Sequence, residues 1–158
     1  MLKKKNYIFL IFTFILVALV SAYIIEYGFG HKPCKLCVYE RIPYFLSIFL
    51  IIELIFFKKN EKTTLLLLSL IFIISAILAF YHFGIEQGLF TESFVCESTS
   101  FSETLTKDQL LEQLKQHARS CKDVSFKVLG LSLASINIIF SLILSVIFVR
   151  LFLNYGKN

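Results

Sequence analysis

Two of the four cysteines lie close together in a short polar segment between two apolar runs. The segment 34–41 has the sequence CKLCVYER, in which Cys34 and Cys37 have CxxC spacing and Arg41 follows one helical turn later. A helical turn brings residues three apart within disulfide range. If a helix begins at Cys37, its N-terminal N–H groups and the charge of Arg41 stabilise a thiolate there. The segment therefore predicts a redox-active dithiol, with Arg41 placed to hold the carbonyl oxygen of an electron acceptor.

The remaining cysteines, Cys96 and Cys121, lie in the one long polar stretch, 25 positions apart. A four-thiolate zinc site usually repeats a CxxC pair, and this second pair does not. A c-type haem needs a histidine after the second cysteine, where Val38 stands. Two disulfides are therefore favoured over a zinc site, which stays open as the alternative, and no resident metal is expected. A Cys96–Cys121 disulfide would close a long loop. It would either exchange with a partner or be a purely structural disulfide.

The composition predicts a membrane protein. Of 158 residues, 57% are hydrophobic and only 17% are charged, whereas a soluble domain carries roughly a quarter charged residues. Four apolar runs cover residues 7–25, 42–57, 63–83 and 128–153, and long apolar runs indicate membrane-spanning helices. We predict an all-α membrane protein, a four-transmembrane-helix bundle that forms a single domain over residues 1–158.

The first apolar run has an alternative interpretation as a cleaved signal peptide. The sequence VSA at residues 20–22 resembles a cleavage site, and lysines precede the run. The run continues past this site and further spans follow, so an uncleaved first span is favoured.

Basic residues in the short segments predict the orientation. With four alternating spans they all fall on one side, which the positive-inside rule assigns to the cytoplasm; they are Lys3, Lys4, Lys5, Lys58, Lys59, Lys62, Arg150 and Lys157. Both termini are then cytoplasmic, and the loops 26–41 and 84–127 face outward with all four cysteines. The net charge of +5 is thus a topology signal and not a sign of nucleic-acid binding.

Several polar residues lie at the ends of the spans. His82, at the outer end of the third span, is a candidate cofactor-binding residue at the depth of Arg41, although a histidine there can also be an interface residue. Arg41 itself could instead bind lipid phosphate or pair with Glu40. Glu26 and Glu86 are expected to be solvated.

The long loop is predicted to contain an amphipathic helix over residues 106–120. A capping box begins at Thr106, and leucines recur at helical spacing after it. This helix would lie on the membrane surface and carry Cys121, or only pack the loop.

With these residues in place, the chain resembles the bacterial disulfide-bond formation protein B (DsbB) family. The most specific match is the segment 34–41, just ahead of the second span. The sequence YHFGIE at residues 81–86 and the sequence GLSLA at residues 130–134 are also similar to family features. The resemblance in the order of spans and cysteine pairs covers nearly the whole chain.

The resemblance implies a dithiol–quinone oxidoreductase in the bacterial inner membrane. It implies that a soluble thioredoxin-fold oxidase of the DsbA type attacks Cys96, that Cys121 exchanges with Cys34, and that Cys37 faces a quinone, either ubiquinone or menaquinone. Arg41 would bind the quinone ring, and the isoprenoid tail would lie against the helices. Each step would be thiolate attack on a disulfide.

Three other functions remain open from the residues. The first is a quinone or thiol reductase of the vitamin K epoxide reductase type, running in reverse. The second is a membrane adaptor whose disulfides are purely structural. The third is a metal transporter that uses the thiolates.

Overall fold

The computed structural model describes residues 2–57, 60–91, 96, 121–122, 127–128 and 130–155. Within them the chain is mostly helical, which confirms the predicted all-α membrane class. The elements are α1 (Leu2–Tyr23) with a π-helical turn after it (Ile24–Gly28), α2 (Lys35–Tyr39), α3 (Ile42–Phe56), α4 (Glu61–Glu86), β1 (Lys127–Val128), β2 (Leu131–Ser132) and α5 (Leu133–Leu153). The helix predicted over residues 106–120 lies outside the described residues.

Three stretches of helix in the described part are long and apolar enough to cross a membrane: Asn6–Gly28, Glu61–Glu86 and Leu133–Leu153. Helix α3 is equally apolar but has 15 residues, a length of about 22 Å at 1.5 Å per residue. That is shorter than the hydrocarbon core of a bilayer, about 30 Å. The chain is therefore a multi-pass membrane protein, and the count of four spans stays a prediction.

The fourth apolar run does not become helical at its first residue. A two-residue hairpin pairs Lys127 with Ser132 and Val128 with Leu131, and Gly130 makes the turn with φ +85°, a backbone region that favours glycine. Helix α5 then begins at Leu133, five residues later than the run itself. The Ser132 hydroxyl caps it by accepting the Ser135 N–H at 3.2 Å.

Each long helix buries one apolar face inside the bundle, and its outward face stays exposed. The main core joins α1, α3, α4 and α5; its fully buried members include Ile15, Ile51, Leu68, Phe72 and Phe148. Large apolar side chains also cover the outside, as Phe49 shows with 71% of its surface exposed. A soluble protein rarely exposes such a surface, but a bundle in lipid must.

Helices α4 and α5 form the closest pair in the bundle because small residues line their contact. Ala79, Ser75 and Ser141 are buried there, and the two serine hydroxyls are 3.0 Å apart across the interface. Small residues let helix backbones approach closely in a membrane, and hydroxyls can bond across the contact. This pairing holds the end of α4 beside the start of α5.

A tight turn follows α4 and depends on Gly84. The Gly84 carbonyl accepts the N–H groups of Leu89 and Phe90, and the Phe90 ring stacks on Tyr81 at 5.7 Å between centroids. A Cβ atom at Gly84 would clash with the Phe90 ring. A larger residue at position 84 would therefore force the Phe90 ring to move.

We expect Gly84→Ala to destabilise the protein by about 1–3 kcal/mol, the usual cost of overpacking. Alanine is the better helix former, so a loss of stability would report the clash with Phe90. Gly28→Ala is the matched control, because a Cβ there meets Ile24 at an ordinary 3.5 Å. Thermal unfolding in detergent, followed by circular dichroism, measures both. Equal midpoints for the two variants would contradict the prediction.

Candidate active site

Helix α2 positions the CxxC pair. Cys34 is the N-cap of this short helix, and its Sγ accepts the backbone N–H of Cys37 at 3.2 Å. The two thiols are free, with their Sγ atoms 2.7 Å apart. Leu36, between them, is buried against Ile85 and anchors the helix to α4. The prediction that one helical turn brings the pair within disulfide range is confirmed.

The two thiols have opposite electrostatic character. A hydrogen bond from the Cys37 thiol, helped by a hydrogen bond and the charge of His82, lowers the pKa of Cys34 to about 5 despite its burial. The same thiol–thiol hydrogen bond, burial and the charges of Cys34 and Glu40 raise the pKa of Cys37 far above its ordinary value. When the pair is reduced, the thiolate therefore lies on Cys34.

This assignment corrects the prediction that Cys37 carries the stabilised thiolate. That prediction assumed a helix beginning at Cys37, but α2 begins at Lys35 and makes Cys34 the cap. The N–H of Cys37, in the first turn of the helix, therefore bonds to the sulfur of Cys34. Arg41 does not compensate at Cys37, because its guanidinium bonds to Glu26.

His82 connects the thiol to a buried carboxylate. Its side chain is 3% exposed, its Nε2 lies 3.5 Å from Cys34 Sγ, and its Nδ1 donates to Glu40 Oε1 at 2.6 Å. It lies in the last turns of α4, which carries it to the same depth as the CxxC segment. The structure thus brings this candidate into contact with Cys34 instead of leaving it at a lipid interface.

Glu40 extends the hydrogen-bond network of His82 to α5 and α3. Its Oε2 accepts Asn137 Nδ2 at 2.7 Å. Asn137 Oδ1 in turn accepts the hydroxyls of Tyr44 at 2.5 Å and Ser141 at 3.2 Å. Sequence reasoning missed Asn137, although an amide inside an apolar run was the signal that could have found it.

Arg41 points away from Glu40. Its Nη1 pairs with Glu26 Oε2 at 2.5 Å, and its guanidinium carbon lies 4.8 Å from the centre of the Tyr23 ring. The alternative that Arg41 pairs with Glu40 is therefore wrong. The expectation that Glu26 is solvated is also wrong, since the π-helical turn carries it to Arg41.

Glu86 is not solvated either. Its side chain is 6% exposed, and its Oε1 lies 3.8 Å from His82 Nε2. Among the described residues, its Oε2 has no hydrogen-bond partner. A buried carboxylate oxygen with no partner usually marks a place where a ligand, ion or water belongs.

These groups form the polar end of a cavity of about 370 Å³ between α1, α5 and the CxxC segment. The rest of the lining is mostly apolar. Its apolar residues come from α1 (Phe14, Val17, Ala18, Leu19, Ala22), the π-helical turn (Ile25) and α5 (Leu133, Ala134, Ile136, Phe140). Cys34, Cys37, Arg41 and His82 all line the cavity, so four of the six predicted site residues meet here.

The other two site residues lie just behind the dithiol. Cys96 and Cys121 form a disulfide with their Cα atoms 5.5 Å apart. Both are buried in one cluster with Cys34, and Cys37 packs against it. The fold therefore gathers all four cysteines of the chain, although the first and the last are 87 positions apart in the sequence.

Comparison with known proteins agrees with this arrangement. The family model described as "Disulfide bond formation protein DsbB" matches residues 4–151. The chain belongs to the DsbB family. It is also 34% identical over 162 residues to the uncharacterized protein RP370 of Rickettsia prowazekii (strain Madrid E), covering 99% of this chain and 94% of that one. Membership makes the chain a membrane protein of disulfide-bond formation with oxidoreductase chemistry.

The thiol assignment can be tested by alkylation. In a chain with Cys37→Ser, Cys96→Ser and Cys121→Ser, the serine hydroxyl still donates to Cys34, and we expect the iodoacetamide rate to titrate near pH 5. Because the thiolate is the nucleophile, the rate should fall about tenfold per pH unit below that point. Replacing Cys37 with alanine removes the donor and should move the titration to higher pH. Identical profiles, both at the ordinary thiol pKa, would contradict the assignment.

Proposed function

We propose that this DsbB-family protein reoxidises a soluble thioredoxin-fold dithiol oxidase of the DsbA type and passes the electrons to a membrane quinone. The observation that carries the proposal is the Cys34–Cys37 dithiol at the polar end of an apolar cavity, with a second disulfide packed behind it. A dithiol that only stabilised the fold would need neither the cavity nor the buried His82 beside it.

Electrons enter at the Cys96–Cys121 disulfide. A thiolate of the partner attacks Cys96 Sγ, which forms a mixed disulfide and releases the Cys121 thiolate. Cys121 then attacks Cys34 of an oxidised Cys34–Cys37 pair, and Cys37 leaves. The second thiol of the partner resolves the first mixed disulfide, and Cys96 then resolves the Cys121–Cys34 bond. The partner is left oxidised, and the Cys34–Cys37 pair holds the two electrons and two protons.

The packing of the cysteines supports the second exchange. Cys34 shares a buried cluster with Cys96 and Cys121, so the attack needs only local movement. The pKa of Cys37 is raised first of all by its hydrogen bond with Cys34. A mixed disulfide on Cys34 removes that cause, so Cys37 becomes a better leaving group at the moment when it must leave.

Lowering the pKa of Cys34 also sets the direction of electron flow. Stabilising the thiolate stabilises the reduced pair, which makes the disulfide a stronger oxidant. The reduction of the pair by a partner dithiol is thereby favoured.

The cavity fits a quinone, which would supply a two-electron, two-proton acceptor when bound. The walls from α1 and α5 match a ring and its isoprenoid tail, and the polar end offers donors and one carboxylate oxygen, Glu86 Oε2, that has no hydrogen-bond partner among the described residues. Arg41 would donate to a carbonyl oxygen, because its ion pair with Glu26 occupies Nη1 and a guanidinium has five N–H donors. His82 accepts the Cys34 proton at Nε2 while Glu40 holds its Nδ1–H.

We also propose that the termini are cytoplasmic and that the cysteines work on the outer face. The basic residues at the opposite ends of the helices support this orientation. An oxidising compartment beside the cysteines is where a disulfide relay operates.

The decisive experiment is quinone reduction by the purified protein in detergent, driven by a reduced thioredoxin-fold oxidase. Wild-type protein should turn over, and both Cys37→Ser and Cys96→Ser should abolish turnover, since each breaks a different exchange. Thr13→Ser, on the exposed side of α1, is the control for losses of activity that arise from mutagenesis and purification. No turnover by the wild type with either ubiquinone or menaquinone analogues would refute the relay. Net electron flow from quinol to the partner would instead indicate the reverse-running reductase.

The role of Arg41 predicts a specific kinetic change. Arg41→Lys keeps the charge but loses the planar fork and the contact with Tyr23. We expect a higher KM for quinone, by about tenfold for a lost charged hydrogen bond, while the affinity for the partner stays the same. Arg150→Lys, in the last turn of α5, is the matched control and should leave both constants unchanged. A normal KM for quinone in Arg41→Lys would remove Arg41 from the quinone site.

A further inference from the structure

We propose that the reduced site binds a zinc-group cation through Cys34 Sγ, Cys37 Sγ and His82 Nε2, and that the cation holds the dithiol in its reduced form. These three ligand atoms all lie within 4.8 Å of one another. This donor set differs from a four-thiolate site, because Cys96 and Cys121 are joined to each other. The proposal goes beyond the electron relay and does not require it.

The distances fit a tetrahedral ion. Zinc bonds are about 2.3 Å to sulfur and about 2.0 Å to nitrogen, so a tetrahedral zinc ion holds a sulfur ligand and a nitrogen ligand about 3.5 Å apart. Cys34 Sγ and His82 Nε2 are already 3.5 Å apart. Only the sulfurs must move, from a separation of 2.7 Å to about 3.8 Å, and rotation of the half-buried Cys37 side chain provides that opening.

The surroundings of His82 are those of a metal ligand. A ligating histidine almost always donates its second ring nitrogen to a carboxylate or carbonyl, which fixes the tautomer and aims the other nitrogen at the metal. His82 Nδ1 donates to Glu40 at 2.6 Å, so Nε2 faces the thiols and offers its lone pair once it gives up its proton to the solvent. Asn137 in turn holds Glu40. The ring orientation therefore exists before any ion binds.

Glu86 lies beside this group of three ligands without belonging to it. Its Oε1 is 3.8 Å from His82 Nε2, and its Oε2 has no hydrogen-bond partner in the described part of the chain. Two thiolates, one neutral imidazole and one carboxylate carry a charge of −3, which a divalent cation reduces to −1. The cation thus relieves the repulsion that otherwise keeps a thiolate and a carboxylate apart in a buried site.

Binding is a ligand exchange and not a redox step. The Cys37 thiol and the protonated His82 ring each lose one proton, the two sulfurs and His82 Nε2 each donate one electron pair to the cation, and no bond between the sulfurs forms or breaks. A disulfide has no thiolate to offer, so the oxidised site should not bind. The cation and the disulfide therefore exclude each other, and zinc should act as an inhibitor that traps the reduced protein.

The test uses the full chain in detergent with Cys96→Ser and Cys121→Ser, so that only the proposed thiols remain. Zn²⁺ affinity is measured by competition with a chromophoric chelator, and Cd²⁺ is added separately to read the thiolate-to-metal charge-transfer band. We expect one ion per reduced chain and none per oxidised chain. Binding that is as tight to the oxidised chain would overturn the proposal.

Matched variants separate this site from a simple chelating pair of thiols. Glu40→Gln should weaken Zn²⁺ binding about 10–100-fold, the usual effect of losing the carboxylate behind a ligating histidine. His82→Gln removes a ligand and should weaken it more. His31→Gln, a histidine of the same cavity outside the ligand cluster, should leave the affinity unchanged. If His82→Gln binds Zn²⁺ as tightly as His31→Gln, the thiols act alone and the proposal is wrong.

Both measurements are independent of quinone and of the partner oxidase. Failure of the electron relay would leave the zinc affinities untouched, and failure of zinc binding would leave turnover untouched. In an active preparation, the cation should slow turnover, because every cycle passes through the reduced pair.

Discussion

The hydrogen bond between His82 and Glu40 is the contact on which the site depends. It joins the CxxC segment, which has no long helix of its own, to the end of α4. Both groups are buried, and a buried polar group left without a partner costs about 1–3 kcal/mol. The segment is thereby fixed against the bundle, and the same bond orients the imidazole toward Cys34. The same contact therefore fixes the position of the CxxC segment and the orientation of the His82 ring.

Glu40 and Arg41, adjacent residues of opposite charge, bind different partners around this contact. Glu40 turns inward to His82 and Asn137, while Arg41 turns to Glu26 on the first helix. Had the two paired with each other, as adjacent charges in a flexible segment easily do, neither the histidine nor the first helix would be tied to the dithiol. The turn between α2 and α3 keeps them apart. Both ion pairs consequently line the cavity.

The membrane explains why the cavity opens where it does. The outer faces of the helices are apolar, as are the walls that α1 and α5 give the cavity, so the proposed quinone would meet apolar surface on both. The polar groups are confined to one end, where each buried one is costly unless it has a role.

Sequence alone determined the membrane class, the CxxC helical turn and the family, because apolar runs and cysteine spacing are local properties. It also pointed to Arg41 and His82 as residues near the acceptor. The charge partners were decided only by the tertiary structure: Glu40 with His82, Arg41 with Glu26, and the thiolate on Cys34. Those choices depend on where α2 begins and on which helix faces which, and no local pattern encodes them. The gathering of four distant cysteines in one cluster follows from packing for the same reason.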